Sequence, residues 1–487
     1  MINPEKKPAT ENPWYVLASL YRDVKVKKPY RNELERYSDN RRFWNAWVSQ
    51  DMTEEQKAAI KDSRGRSILS DAPEWNSIKA QVEEIFKKRL PNAKLPLPSE
   101  LPEFKYIDFH ITFTGFFFPV GAHFIDTIFD GANFQSAVFS GPVTFSHVTI
   151  GDANFNSAVF SGGVGFIFVK ISRSAIFQNA IFSGYANFGR AEFPRNANFN
   201  RTVFSRHADF QTATFPGEAS FREAVFSGDA NFMNATFSGD ASFREAVFSE
   251  EANFMNVIFS GDANFRNSTF SGVSKFIKTK FSEAADFSDA VFDAPCNFRE
   301  VEFKAAYPNL LGTLLHSKTN VTAENKYWPN ARIEQLNNDD NYVSESCAHL
   351  RQNMASQGLT EAAHFFFRRE MDHKAKLSRW WERPFYEVYR LAEFGHGVWQ
   401  PLVGIFLLWL SGALSLNIWG CLNWTTAFGL SAANIFKFFG FQRVYFEGNV
   451  IANLNPYLQS MTAAQTVIGY FLLFLLGLGL RNRFRLK

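Results

Sequence analysis

The chain has 487 residues, a formal net charge of +3 and a mean hydropathy of −0.19, so length alone allows two or three domains. The near-neutral balance excludes a globally basic nucleic-acid binder and a strongly acidic surface. Phe is the outlier with 56 copies, and the three cysteines (Cys296, Cys347 and Cys421) stand far apart with no CxxC pair, which argues against a zinc site or a disulfide framework.

The opening MINPEKKPATENPW is polar and lacks the apolar core of a signal peptide. Residues 1–90 read as a helical N-terminal region. Asn12-Pro13-Trp14 is a helix start, with Pro at the first helical position. Thr53-Glu54-Glu55-Gln56 fits a capping box, in which the Thr hydroxyl and Gln amide satisfy free backbone N–H groups. Trp14, Phe43, Trp44, Trp47, Trp75 and Phe86 supply its apolar content. Residues 91–103 form a linker kept extended by Pro91, Pro96, Pro98 and Pro102.

Residues 104–303 are periodic, and the period decides the fold. The most regular stretch runs Phe188, Phe193, Phe199, Phe204, Phe210, Phe215, Phe221, Phe226, Phe232, Phe237, Phe243, Phe248, Phe254, Phe259, Phe265 and Phe270. Steps of five and six alternate, an 11-residue unit resembling Ala-Asn-Phe-x-x-Ala-x-Phe-Ser-Gly-Asp. Copies before Phe177 are less regular, with Ile150 and Ile171 in two Phe slots; a small residue such as Ala197 or Cys296 stands two places before most Phe. A helix of the same period is excluded by angle: at about 100° per residue, Phe at 0 and +5 lie about 140° apart. Each unit also carries a Ser-Gly-like pair, poor in a helix interior. A coil with flat faces explains the spacing, with Phe and its small predecessor inward, residues such as Asn187 and Asn198 outward, and Ser-Gly-Asp at corners. Phe221–Phe226 (FREAVF) recurs as Phe243–Phe248, so two units, 22 residues, are expected per four-faced coil. Roughly 200 residues then give about nine coils and a rod about 45 Å long. One unit buries two Phe worth about 2–3 kcal/mol each, while ordering eleven residues costs about 1 kcal/mol or more apiece. Stability must therefore come from stacking, and the open ends need caps that the flanking helical regions can supply.

Residues 304–343 read as a connector. Residues 344–395 form a helical hairpin and juxtamembrane segment, with Leu350, Met354, Ala362, Phe366 and Met371 on its faces and a break at Gly358. Residues 396–487 read as a two-span transmembrane domain, with spans at 398–420 and 462–480. Arg368, Arg369, Lys374, Lys376, Arg379, Arg383 and Arg390 precede the first span, and Arg481, Arg483, Arg485 and Lys487 follow the second. The loop between them holds only Lys437 and Arg443 as cations, so both outer ends are expected on the cytoplasmic side. Trp380, Trp381, Tyr386, Tyr389, Trp399 and Trp419 suit the membrane interfaces.

The repeats resemble the pentapeptide-repeat family, in which Leu or Phe fills the centre and Ala stands two residues before it. The resemblance spans about 200 residues and implies a right-handed quadrilateral β-helix. The chain departs from the family in carrying an extra residue in every second face. The layout is also similar to bacterial membrane-bound members of that family. These share an Asn12-Pro13-Trp14-Tyr15-Val16-Leu17 segment, an Asn40-Arg41-Arg42 to Trp44-Asn45 stretch, and a Gln465-Thr466-Val467 to Arg481-Asn482-Arg483-Phe484 tail. That likeness implies a multi-pass protein of the bacterial inner (cytoplasmic) membrane with both termini cytoplasmic, and it names no activity. The expected fold class is a mainly β solenoid of 11-residue units, with a helical N-terminal region and an α-helical C-terminal membrane hairpin.

Catalytic chemistry is not expected. His364, Glu370 and His373 are the nearest approach to a metal cluster, but on one helix His364 and His373 lie about 180° apart. No GxxxxGK[ST], GxSxG or HExxH motif occurs. Charged residues in the repeats (Arg222, Glu223, Arg244, Glu245) recur with the period and read as solvated faces. The expectation is a membrane-anchored scaffold or protein-recognition module presenting a cytoplasmic β-helical rod, with no enzyme activity, cofactor or metal. Its expected partners are the bilayer and an unidentified protein, without nucleic acid; a homo-oligomer is compatible. Two alternatives stand beside it. One is a degenerate two-helix ion-channel-like pore, with Leu430 to Phe441 as a re-entrant helix in place of one lying on the membrane. Its weakness is Phe438-Phe439-Gly440-Phe441 where a carbonyl-lined filter belongs. The other is a DNA mimic that binds a topoisomerase, weakened because residues 103–303 hold 21 acids against 14 bases, only −7.

Overall fold

Alternation between inward Phe and outward polar residues needs a backbone that turns every five or six residues. In the computed structural model, which describes residues 9–20, 33–105, 108–329, 340–391, 393–395, 397–437, 441 and 451–485, it does so. The chain separates into two units, Met1–Gln357 and Gly358–Lys487. The first begins with α1 (Pro13–Ala18), α2 (Glu33–Val48), α3 (Glu54–Ala59) and α4 (Trp75–Arg89). Asn12 caps α1 by accepting the Tyr15 N–H, with Pro13 at the first helical position. At α3 the capping box is complete: the Gln56 N–H donates to Thr53 Oγ1 (3.2 Å) and the Thr53 N–H to Gln56 Oε1 (2.8 Å).

From Glu103 the chain winds into a β-solenoid of about ten turns whose faces are parallel sheets of 11, 10, 9 and 5 strands. Most strands are two residues long. Val203 pairs with Val225 and Ala208 with Ala230, so the coil is 22 residues in its regular part. It shortens towards the start, where Phe104 pairs with Phe124 and Phe124 with Phe145. Pairing continues beyond residue 303, into the stretch read as a connector, where Asn320–Val321 joins Asn297–Phe298.

The alternation of five and six comes from two kinds of corner. The shorter step holds a four-residue turn closed by a backbone hydrogen bond, as from the Ala224 N–H to the Phe221 carbonyl (3.1 Å). Its third residue has positive φ, as in a type II turn. Seventeen non-glycine residues from Asp126 to Glu300 fill that slot, with φ between 50° and 60°. Glycine holds it at the two ends of the series, Gly115 (φ 66°) and Gly312 (φ 67°). The residue before Phe steadies this turn: Asn198 Oδ1 accepts the Asn200 N–H (3.0 Å), and Asn231 does the same for Met233 (3.1 Å). The longer step is the Ser-Gly-Asp corner, where among the described residues only Gly121, in the first of these corners, has positive φ (92°). Glycine serves there for close approach: a Cβ on Gly217 would lie 2.6 Å from the Arg195 carbonyl carbon one coil away.

Phe rings fill the interior in four columns. Within a column successive rings stack nearly parallel, as in Phe199–Phe221 (4.8 Å, 3°) and Phe221–Phe243 (4.9 Å, 2°). Between neighbouring columns they meet edge to face, as in Phe210–Phe221 (5.5 Å, 89°). Both arrangements suit the aromatic quadrupole. Ile150 and Ile171 are buried in the column that continues upward as Phe193 and Phe215.

Both ends of the coil are covered. At the first, Trp44 Nε1–H donates to the Phe117 carbonyl (2.8 Å) and Asn45 Oδ1 accepts the Phe117 N–H (3.0 Å), with the Trp44 ring 5.3 Å from that of Phe118. Beside it Asp62, 4% exposed, accepts from Arg66 (2.6 Å) and from the Arg64 and Arg66 N–H groups. At the far end Trp328 packs on Phe303 (5.1 Å), and α5 (Asp340–Ser356) lies against the last turns. There Ser346 Oγ accepts the Leu310 N–H (2.9 Å), while Asn353 and Gln357 donate to the His316 and Thr319 carbonyls (3.1 and 2.8 Å). Val343, Cys347, Leu350 and Met354 form the buried stripe of α5.

The second unit comprises α6 (Thr360–Leu377), α7 (Arg383–Leu391), α8 (Trp399–Ile418), α9 (Trp424–Ile435) and α10 (Pro456–Arg485). Two of these, Trp399–Ile418 and Pro456–Arg481, are long and apolar enough to cross a membrane. Gly358, between α5 and α6, has φ 75°.

Two outcomes are expected. Phe221→Ala removes a ring from the middle of a column and should destabilise the solenoid by about 3–5 kcal/mol in urea unfolding, whereas the exposed change Arg222→Gln should stay within about 0.5 kcal/mol. For Asp62, burial raises the carboxyl's pKa, but the hydrogen bonds from Arg66 and Arg64 outweigh it and hold it below its ordinary value. A depressed native pKa gives stability that is complete above the unfolded value, near 3.9, and is lost as pH falls through the native one. Asp62→Asn should therefore lower the melting temperature at neutral pH, and the difference from the parent should shrink as pH falls below the unfolded carboxyl's value.

Candidate interaction surfaces

The sixteen phenylalanines from Phe188 to Phe270 that the period singles out are each at most 1% exposed, so anything that touches the rod meets the residues between them. Those residues form vertical columns, because positions 22 apart stand over one another. The faces are not alike. One presents Val159, Ile181, Val203, Val225, Val247 and Val291, each partly exposed, in a single column. Another presents Arg222, Arg244 and Arg266. Acids and bases interleave along the stack: Arg201 meets Glu223 at 2.8 Å, Lys275 meets Glu251 at 2.6 Å and Arg173 meets Asp152 at 2.8 Å. The Glu223 carboxyl is held below its ordinary range mainly by the hydrogen bond from Arg201.

One stretch breaks the pattern. The positive-φ slot holds polar or small residues in every repeat except that of Phe168, which has φ 56° and is 42% exposed. A bulky ring in this conformation carries backbone strain. The Phe168 ring stacks on His147 (5.0 Å) and lies under the Arg190 guanidinium (5.1 Å). Ile167 beside it is 37% exposed. On the same face Tyr185 is 41% exposed, stacks on His207 (5.4 Å) and donates to Asp209 Oδ2 (3.4 Å); burial, followed by Asp209, pushes its phenol above the ordinary value. Between these rims the strand residue at 165 is glycine, and Gly163 precedes it. Both have ordinary φ, and a Cβ would meet nothing nearer than 3.7 Å at Gly163 and 4.0 Å at Gly165, so the fold does not require glycine at either. The result is a bare strip of backbone between two aromatic edges. The period did not single out Ile167, Phe168 and Tyr185; the signal for them is a Phe two places after Phe166, out of phase with the repeat.

In the second unit a buried polar network joins three helices. Gln465 of α10 donates to Ser431 Oγ (2.6 Å) and to the Leu408 carbonyl (3.2 Å), and accepts from Asn434 (3.3 Å). Ser431 donates to the Trp409 carbonyl (2.7 Å), and Trp409 Nε1–H to that of Phe428 (3.0 Å). Gly412 makes room, since a Cβ there would run into the Gln465 amide and the Ser431 hydroxyl. α9 is therefore held between α8 and α10 with its Ile435 end against Gly469, and Leu430 lies buried with Leu416 and Leu458. Residues Phe438–Gly440 and Arg443 lie outside the described residues.

On α6, Glu370 and His373 are 2% and 1% exposed, and Glu370 accepts from Lys374 (2.6 Å); Arg369 stacks on Phe365 (4.5 Å). Among the described residues no group of three His, Cys, Asp or Glu stands close enough to hold a metal ion. Cys296 and Cys347 are buried free thiols, burial pushing that of Cys296 far up, while Cys421 is exposed.

Residues 124–170, 188–232, 221–269 and 256–302 match the family described as pentapeptide repeats, in nine copies. No curated protein and no solved structure matches the chain.

Proposed function

The coiled domain belongs to the pentapeptide-repeat family, and from that premise we propose that this chain is a membrane-anchored recognition scaffold whose rod binds a partner protein on the cytoplasmic side. The observation that carries this reading is the strained, exposed Phe168 beside the bare strip at Gly163 and Gly165. Strain and solvent exposure at a slot that elsewhere takes polar residues or glycine are a structural penalty, and recognition is the use that offsets it. The regular faces offer mostly paired charges, worth little individually.

Anchoring is supported by the two apolar helices and by aromatic side chains turned outward near their ends, among them Trp399 (72% exposed), Trp419 (59%) and Tyr457 (66%). With Arg481, Arg483, Arg485 and Lys487 after the second helix and a basic run before the first, both termini face the cytoplasm, as in a bacterial inner membrane. In this reading no side chain acts as a catalyst.

A second reading has a specific observation behind it. α9 packs against both α8 and α10 through a buried face of Ala427, Leu430, Ser431, Asn434 and Ile435 that carries polar contacts to both, which favours a re-entrant, pore-type arrangement over an interfacial one. The interleaved ion pairs along the rod give no matching support to topoisomerase mimicry.

Cross-linking of the intact protein in native membranes followed by pull-down should recover a protein partner, and Phe168→Asn should abolish that recovery while leaving thermal stability unchanged or higher. Recovery undiminished by Phe168→Asn, or equal recovery with an unrelated membrane protein, would sink the recognition reading. Potassium flux through purified protein in liposomes decides the second: the scaffold reading expects none above protein-free vesicles.

A further inference from the structure

We propose that the cleft between α7 and α10 is a binding site for a single anionic phospholipid, a site distinct from the general lipid contact of the two spans. This deepens the membrane reading and rests on it. The cleft is an open groove of about 520 Å³, with Phe385 and Phe474 of its lining 75% and 64% exposed, within the range of about 300–1,000 Å³ typical of sites for small ligands. Its walls are apolar: Tyr386, Val388 and Tyr389 from α7 face Phe471, Leu475 and Leu478 from α10. An open groove with exposed phenylalanines between two helices of one unit is a contiguous apolar surface that calls for an apolar occupant. An acyl chain is such an occupant, and the bilayer supplies it.

Charge selects the headgroup. One helical turn beyond Leu478, Arg481 starts a run continued by Arg483, Arg485 and Lys487, and no acid occurs from Pro456 to the C-terminus. At the start of α7, Arg379 and Arg383 enter no ion pair among the described residues; the Arg379 backbone N–H donates to Glu382 Oε2 (3.2 Å) and Arg383 Nη2 to the Lys376 carbonyl (3.4 Å). Of the acids nearby, the Glu382 carboxylate accepts only that backbone N–H among the described residues, while Glu387 and Asp372 are held by Arg390. Glu387, between the lining residues Tyr386 and Val388, pairs with Arg390 (2.7 Å), which also holds Asp372 (2.9 Å). Trp380 and Trp381, 77% and 48% exposed, sit just before α7, where indole rings belong at the headgroup level. An apolar groove with Arg383 shortly before its α7 wall and Arg481 shortly after its α10 wall in the chain, neither in an ion pair among the described residues, fits a lipid with one seated chain and a negative head.

The test uses the full-length chain, extracted from alkaline-washed membranes into mild detergent and examined by native mass spectrometry with phosphatidylglycerol or phosphatidylcholine added. One phosphatidylglycerol per chain should be retained, with a preference over phosphatidylcholine on the order of tenfold. Val388→Trp should abolish retention by filling the slot. Arg383→Gln and Arg481→Gln, both on exposed side chains, should each weaken the preference about fivefold and keep the proposal open to test if the filled variant misfolds. Equal retention of the two lipids, or a preference unmoved by either arginine change, overturns the site and leaves the membrane reading intact. Recovery of the parent chain in the detergent-free soluble fraction overturns both.

Discussion

The structure depends on a coincidence of two lengths. Parallel strands joined by backbone hydrogen bonds repeat at about 4.8 Å, and offset-stacked phenyl rings also sit comfortably at about that separation. Chain and side chains therefore share one vertical period. The Phe221 N–H donates to the Ser242 carbonyl at 2.7 Å, and the Phe221 ring stacks on Phe243 at 4.9 Å. Neither set of contacts has to yield to the other, so the same solution recurs coil after coil.

Everything else in the repeat serves that match. The residue two before Phe is small because the four columns of rings leave little space beside them, as at Ala197, Ala219 and Ala241, each at most 1% exposed. One corner places a non-glycine residue at positive φ in each unit from Asp126 to Glu300, and an Asn or Asp before Phe, as at Asn198, secures it through the next turn N–H. Because the ladder leaves a free edge at each end, the two helical flanks are part of the fold: Trp44 and Asn45 close one end, and α5 with Trp328 the other.

The solenoid could be read from the sequence because its signal is a period, and 22-residue stacking follows once FREAVF is seen to recur. Two features lie beyond periodicity. The positive-φ turn is invisible in the pattern because Arg201, Glu223 and Asn234 share no chemistry; only their backbone conformation is common. The seat of α9 could not be read because helix length and hydropathy do not say which faces meet. The Gln465–Ser431–Asn434 contacts decide it, and they join residues more than thirty positions apart. Phe168 was present in the sequence but hidden by abundance: among 56 phenylalanines, one out of phase is easily counted with the rest.

The chain thus combines a rigid stack, whose outward residues are free to vary without disturbing its core, with an apolar helical unit that contributes its own buried polar contacts. Hydrogen–deuterium exchange of the intact protein tests the core of this account most directly. Amides from Phe188 to Phe276 should be protected together and open as one block, since each coil is held by the next. Rapid, independent exchange across that span, with the flanking helices still protected, would contradict it.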